Sequence, residues 1–220
     1  MAAVELREAL DQDPEGVIRM LRLIYEPVTF LHPSRLVEWF PEKTVLAVLV
    51  RTRQGWLAVN RLVRERLRLK LEYPKPITEA RHGLFFESPA LLRRLARYAG
   101  AAFLAAEIRR VVRQRELREL MSCLGSEIYQ FVLRKAFFFR MQDLPIPTAG
   151  EKKSLVERVE ATGRGCITAC LFDLPQTLRE RFPLKFAADE QWPFAKGVGR
   201  REAEGFWKFL ARLRDYAASA

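Results

Sequence analysis

The sequence is poor in the residues from which active sites and metal centres are most often built. It contains only 2 His and 3 Cys in 220 residues. His-dependent acid–base chemistry is therefore limited to His32 and His82. Cys123, Cys166 and Cys170 are too few and too scattered for the disulfide framework of a small secreted protein. We expect reduced thiols that behave as small buried hydrophobic side chains.

Long apolar runs and targeting signals are also missing. No charge-free apolar stretch reaches the roughly 18 residues needed to cross a membrane. The N-terminal stretch MAAVELREALDQDPEG lacks the basic-then-apolar order of a secretory signal. Gly163 and Gly165 lack the strand–glycine–helix context of a phosphate-binding loop. The sequence therefore predicts a protein without a membrane span, enzymatic activity, cofactor or small-molecule substrate.

One cysteine pair leaves a metal site open as an alternative. Cys166 and Cys170 are four residues apart, a spacing that can place two thiolates on one face of a helix. No third ligand follows nearby, although Cys123 and a histidine could converge in the fold. The predominant expectation is no metal, with a small metalloprotein as an alternative.

The sequence is rich in positive charge. Its 38 Lys and Arg against 27 Asp and Glu give a net charge of +11 and a pI near 10.0. With 49% apolar residues and 30% charged residues, the composition is that of a globular protein. The positive charge favours an acidic partner, which could be nucleic acid, an anionic membrane face or an acidic protein.

Helical periodicity dominates the central stretch, residues 88–139. Ser88 is a suitable N-cap, and Pro89 suits the first helical position. Gly125 is the expected residue just past a helix end, and Ser126 could cap the next helix. One apolar face follows the helical spacing of three and four: Leu92, Leu95, Ala99, Ala102, Phe103 and Ala106. Small residues around Gly100 indicate a close helix–helix approach.

The flanking stretches also read as helices. The apolar run 45–50 is assigned to a helix that Gln54 and Gly55 break. A helix is predicted from Gly150 to Ala161, loosened by Gly163 and Gly165. Residues 186–200 are predicted to be irregular and at the surface, before a C-terminal amphipathic helix. Inward-facing side chains in the third central helix and the C-terminal helix are predicted to be Ile128, Tyr129, Val132, Phe137, Phe206, Phe209, Leu210, Leu213 and Tyr216.

The predicted fold is all-α, a single compact helical domain with a short N-terminal extension and a C-terminal helical tail. We predict an extension over residues 1–29, a helical core over 30–186, and a loop with the amphipathic helix over 187–220. Basic clusters lie on these helices: Arg61, Arg64, Arg66, Arg68 and Lys70 in one, and Arg109, Arg110, Arg113, Arg115 and Arg118 in another. Interspersed Glu65, Glu116 and Glu119 favour solvated faces, with an acidic protein partner or nucleic acid as alternatives. The candidate partner-binding basic face comprises Arg93, Arg94, Arg97, Arg109, Arg110 and Arg113.

Three stretches in this order resemble one family. FLHPSRL (Phe30 to Leu36) is similar to the family's aromatic–Leu–His–Pro–Ser–Arg–Leu entry. LLRRLARYAGAAFLAAEIRRVV, followed by LRELMSCLGSEIYQFVL, is similar to its helical core, and GRGCITACLFDLPQTLRERFPLKF (Gly163 to Phe186) to its closing segment. Together they resemble the type III secretion sorting-platform accessory protein family (SctK/YscK) over roughly Phe30 to Phe186.

The resemblance implies a mainly α-helical cytoplasmic adaptor without enzymatic activity. Members of that family link the cytoplasmic, forkhead-associated-like domain of the inner-membrane ring protein to the pod component of the sorting platform. The resemblance therefore implies a location at the cytoplasmic face of the inner membrane. The best-matched motif residues are His32, Pro33, Ser34 and Arg35. We interpret them as a turn that positions the entry helix, with direct partner contact as the alternative. A basic helical nucleic-acid-binding protein is the alternative function.

Overall fold

The computed structural model describes residues 2–40, 42–73, 80–139, 154–192, 194 and 198–219. Over these ranges the chain forms thirteen α-helices and four short 3-10 helices, and no strand. The predicted all-α fold is confirmed. The α-helices are α1 (Ala2–Gln12), α2 (Pro14–Tyr25), α3 (Pro33–Val37), α4 (Lys43–Leu49), α5 (Arg53–Arg66), α6 (Gly83–Phe86), α7 (Pro89–Phe103), α8 (Ala105–Arg109), α9 (Gln114–Leu124), α10 (Ser126–Arg134), α11 (Leu155–Cys170), α12 (Gln176–Arg181) and α13 (Arg200–Ser219).

The chain divides into two compact units. The first unit comprises residues 1–86 and 174–191, and the second comprises residues 87–173 and 192–220. Each unit is thus made from two separate stretches of the chain. The predicted boundaries near residues 29 and 186 rest on the family likeness and stay a prediction.

The first unit has a core built on α5. Val59 and Val63 of α5 pack with a cluster completed by Leu31, Leu36, Leu69 and Leu184. From α4, Leu46 and Leu49 pack against this cluster, whereas Val48 is 63% exposed. The run 45–50 lies in and just past α4, as expected. The predicted break follows α4, but it lies at residues 50–52. Gln54 and Gly55 are in the first turn of α5, where the Thr52 side chain accepts the Gly55 N–H at 3.0 Å.

The second unit is built on α7, α11 and α13. Ser88 caps α7 by accepting the Leu91 N–H at 3.1 Å, and Pro89 is its first residue, as predicted. Ser154 and Glu157 form a reciprocal capping box at the start of α11. The predicted helix start at residues 150–153 lies outside the described residues.

Glycines bring α7 and α11 into close contact. A Cβ added at Gly100 would overlap the carbonyl oxygen of Val159, and one added at Gly163 would overlap that of Ala96. The close approach expected around Gly100 is therefore present. The predicted loosening at Gly163 and Gly165 is wrong, because α11 continues through both to Cys170. Because glycine has no Cβ, Gly100 and Gly163 let the backbones of α7 and α11 come into contact, and Gly163 does not end its helix.

The C-terminal helix α13 is packed within the second unit. Its amphipathic pattern is confirmed, since Phe206, Phe209, Leu210 and Leu213 are buried. Phe209 makes an edge contact with the ring of Phe103 at 5.4 Å between centroids. The connection before α13 was predicted to lie at the surface, yet Trp192 and Val198 are buried. Removing their apolar side chains from water is favourable even where the backbone is irregular.

Helices α9 and α10 meet at Gly125, whose φ of +98° is a backbone conformation that favours glycine. Ser126 is the first residue of α10 and Gly125 is its N-cap, so the predicted capping role of Ser126 is wrong. Ile128 and Val132 are buried, as expected for the inner face. Ala106, predicted to be on the buried face of α7, is exposed because α7 ends at Phe103 and α8 starts a new direction at Ala105.

Candidate docking surfaces

The family-motif residues form a helix-entry turn in the first unit. His32 is the N-cap of α3, and its Nδ1 accepts the Ser34 N–H at 3.3 Å and lies 2.8 Å from Ser34 Oγ. Pro33 occupies the first helical position, where a missing N–H costs nothing. The turn is thus held locally by its own side chains.

Arg35 joins this turn to the family's closing segment. Its Nε donates to the Phe186 carbonyl at 2.8 Å, and its Nη2 donates to the Pro183 carbonyl at 3.2 Å. The backbone N–H of His32 also donates to the Leu184 carbonyl at 2.9 Å. Burial lowers the pKa of Arg35. Two motif stretches that are far apart in sequence therefore hold one another in place.

Arg181, from the same closing segment, is a fully buried cation. It donates to the carbonyls of Thr177 and Lys70, both at 2.7 Å, and to those of Leu23 and Ile24 at 3.2 and 3.4 Å. Leu23 and Ile24 belong to the last turn of α2, where unpaired carbonyls and the helix dipole favour a cation. Burial lowers the pKa of Arg181. In sequence, the segment QTLRER that forms α12 has the composition of an ordinary basic helix, and nothing in it signals a buried cation.

The six arginines of the predicted basic face have different surroundings. Arg97 pairs with Glu160 of α11 at 3.1 Å, and Arg109 donates twice to the Val132 carbonyl at the end of α10, at 3.1 and 2.7 Å. Arg94 lies over the ring of Tyr98. Arg93, Arg94 and Arg97 are only partly exposed, whereas Arg109, Arg110 and Arg113 are exposed.

Arg110 and Arg113 are therefore the best placed of the six for a partner. Arg113 pairs with Glu116 at 3.3 Å, an exposed contact of small energy. Arg97 and Arg109 serve the second unit's own packing. Partner contact by the basic face stays a prediction.

Exposed apolar side chains lie in both units. In the second unit Phe137 and Phe138 are 67% and 65% exposed and touch edge to face, with ring centroids 6.1 Å apart. The predicted burial of Phe137 is wrong, because α10 ends at Arg134 and the 3-10 helix Ala136–Phe139 changes the direction of the side chains. In the first unit Val48 and Leu57 are 63% and 57% exposed.

A cluster of aromatic rings fixes the turn that carries Phe137 and Phe138. Phe139 contacts Phe131 and Tyr216, with ring centroids 5.6 and 6.2 Å apart. The guanidinium of Arg212 lies 5.6 Å from the centre of the Phe139 ring, and its Nη2 donates to the Phe138 carbonyl at 3.0 Å. The exposed pair thus stands on a packed base.

The cysteines do not gather at a surface. Cys166 and Cys170 are buried in α11, and burial raises the pKa of the Cys166 thiol; Cys123 is exposed. Over the part of the chain that the structure describes, no group of three or more His, Cys, Asp or Glu residues is placed to hold a metal ion. None of the described helices is long and apolar enough to cross a bilayer.

A sequence model of one protein family matches residues 18–196, which include all three motif stretches, with Arg181, and the phenylalanine pair. That family is described as YOP proteins translocation protein K (YscK). The chain belongs to this family. The predicted membership is confirmed, and with it a place among the translocation proteins of type III secretion. No curated protein and no solved structure matches the chain.

Proposed function

We propose that this YscK-family chain is a non-enzymatic adaptor of a bacterial type III secretion system. It links the cytoplasmic, forkhead-associated-like domain of the inner-membrane ring protein to the pod component of the sorting platform, and so supports protein secretion. It acts in the cytoplasm, at the face of the inner membrane, without a cofactor. The family match over residues 18–196 carries this proposal.

The use of the motif side chains supports an adaptor over an enzyme. Arg35 and Arg181 direct their guanidinium groups at backbone carbonyls of their own unit. His32 caps a helix. In an enzyme we would expect such polar side chains to converge on an open cavity. Here they build a framework on which exposed side chains can be presented.

An adaptor with two partners also needs more than one place to bind. Each unit exposes large apolar side chains, Val48 and Leu57 in the first and Phe137 and Phe138 in the second. Exposed basic residues such as Arg110 add charge that would accelerate association with an acidic partner. These features fit a protein whose work is binding.

The direct test is a set of titrations with purified components. The full chain is titrated by calorimetry with the ring protein's cytoplasmic domain, then with the pod component, and all three are mixed for size-exclusion chromatography with light scattering. We expect each pair to bind at micromolar concentrations or tighter and the three to elute as one complex. A chain that fails to bind one or both of the partners at those concentrations would refute the proposal.

The net charge of +11 supports nucleic acid binding as a second candidate. The test is fluorescence anisotropy with labelled duplex DNA and single-stranded RNA at about 50 and 200 mM salt. A protein that neutralises several phosphates loses on the order of a thousandfold in affinity over this range. Binding with that salt response, together with no binding to the two proteins, would favour the second candidate.

A further inference from the structure

We propose that Phe137 and Phe138 anchor a docking surface for an acidic protein segment that carries apolar side chains. The surface, here called the phenylalanine anchor, comprises Leu133, Arg134, Lys135, Phe137 and Phe138. The inference rests on the proposed function and deepens it, because it assigns one of the two partners to a defined surface of the second unit.

Exposure of the apolar side chains is the first observation. Phe137 and Phe138 are 67% and 65% exposed, and Leu133, four residues before Phe137, is 50% exposed. Single exposed apolar side chains are common on protein surfaces, whereas the rings of Phe137 and Phe138 contact each other with centroids 6.1 Å apart, and adjoining exposed apolar side chains are typical of interaction sites. Within the same short turn Ala136 is buried. The chain therefore turns small Ala136 inward and leaves two large rings in water.

Rigidity of the base is the second observation. Phe139 is held between Phe131 and Tyr216, and Arg212 both covers the Phe139 ring and binds the Phe138 carbonyl. The backbone under the exposed rings is thus fixed from two sides. An anchor that is ordered before binding loses less conformational entropy when the partner arrives. Aromatic side chains, Phe among them, are enriched at protein interfaces relative to the rest of the surface.

Charge identifies the chemistry of the partner. The side chains of Arg134, Lys135 and Arg212 are exposed around this turn. The stretch LRKAFFF, residues 133–139, contains two cations and no acid. An acidic segment would gain long-range attraction from these cations, while its apolar side chains would cover the two rings.

The same features favour a protein over a lipid surface. Recognition of an anionic membrane typically uses clusters of about four to eight Lys and Arg, together with a lipid chain or a long amphipathic helix. The anchor offers two exposed cations, Arg134 and Lys135, beside two rings on a short turn, and Arg212 of α13 adds a third. This is a small, shaped patch of the kind that a protein segment can enclose.

The test compares two pairs of substitutions in the full chain. Phe137→Ser with Phe138→Ser removes the rings, and Val48→Ser with Leu57→Ser removes two side chains of similar exposure from the first unit. Each variant is titrated separately with the ring protein's cytoplasmic domain and with the pod component, after circular dichroism has shown unchanged helix content. We expect the phenylalanine variant to bind one of the two partners at least about tenfold more weakly, with the control unchanged for that partner.

A charge variant provides a second readout that leaves the rings in place. Arg134→Glu with Lys135→Glu is expected to weaken binding of that same partner and to flatten its dependence on salt. Equal salt dependence in the wild type and this variant would show that the partner's segment is not acidic, and would overturn the proposal.

The remaining outcomes separate this inference from the proposed function. If the wild type binds both partners and the phenylalanine variant binds them equally well, the anchor is wrong and the adaptor stands. If the wild type binds neither partner, both proposals fall. Two results would assign the anchor to another occupant and overturn the inference. One is that the wild-type chain dimerises through these rings. The other is that the wild type sediments with vesicles of phosphatidylserine and phosphatidylcholine and the phenylalanine variant does not.

Discussion

At the scale of single residues, Arg35 and Arg181 show why the first unit needs arginine. Each donates to several backbone carbonyls at once, Arg35 to those of one closing segment and Arg181 to those of separate parts of the chain, which requires several N–H groups fixed in one plane. A lysine ammonium is a single centre and cannot reach such a spread of acceptors. The buried guanidinium of Arg181 is stabilised by carbonyl oxygens in the last turn of α2 and by the backbone carbonyl of Lys70.

Replacing Arg181 by Met should lower the free energy of unfolding by about 3 kcal/mol or more, because several buried carbonyls lose their donor at once. Arg181→Lys keeps the charge and should lose less. Urea denaturation followed by circular dichroism measures both, with Arg51→Met, at an exposed position, as the control. An unfolding midpoint shared by Arg181→Met and the control would show that these hydrogen bonds add no net stability.

Thiol reactivity is a second prediction at this scale. Burial raises the pKa of Cys166, and Cys170 is also buried, so neither should form a reactive thiolate near neutral pH while the chain is folded. Iodoacetamide at pH 7.5 (about one pH unit below the usual thiol pKa) should modify exposed Cys123 alone, as read by peptide mass spectrometry. Modification in urea provides the control, in which all three react. Rapid labelling of Cys166 in the folded chain would contradict its buried position.

At the scale of secondary-structure elements, the contact between α7 and α11 depends on two glycines. Glycine costs a helix about 1 kcal/mol relative to alanine, so Gly100 and Gly163 weaken their own helices. They remain compatible with the fold because each admits the backbone of the other helix. Packing between elements therefore outweighs local preference at this crossing.

Gly163→Ala should destabilise the second unit by about 3 kcal/mol, since the new methyl group overlaps a backbone carbonyl that cannot rotate away. Gly83→Ala is the matched control, because its Cβ would meet no atom within 4 Å, and it should be neutral or slightly stabilising. Thermal unfolding measures both variants. A Gly163→Ala variant as stable as the control would mean that α7 and α11 can move apart without loss of stability.

At the scale of the whole molecule, the basic residues behind the net charge of +11 have different roles. Arg97 and Arg109 are used inside the second unit, and Arg110 and Arg113 project to solvent. The overall positive field acts at long range, steering acidic partners, whereas the individual contacts decide stability.

Charge reversal should separate these duties. Arg110→Glu with Arg113→Glu should leave stability nearly unchanged and slow association with an acidic partner severalfold, most clearly at low salt. Arg109→Glu should instead lower the free energy of unfolding by about 2 kcal/mol, because the Val132 carbonyl loses its charged donor. Surface plasmon resonance and urea denaturation measure the two effects. Equal stability losses in both variants would refute the distinction.

The sequence by itself determined the helices and the family. Ser88 with Pro89, Gly125 and the apolar stripe of α13 act through neighbours within about four residues, so their effect is readable from local spacing. The ordered motif stretches likewise indicated the family before any geometry was known.

The tertiary structure alone decided what several of these side chains contact. A glycine in a helical pattern can end the helix or allow close contact with another helix. At Gly163 the backbone carbonyl of Ala96 lies directly opposite, so the glycine allows contact. Arg181 reads as a surface charge until Lys70 and the end of α2 surround it. Phe137 follows the inward spacing of α10, but that helix ends three residues earlier and the ring faces water. In each case the deciding atom belongs to a distant part of the chain or to a change of helix type, and local periodicity carries no record of either.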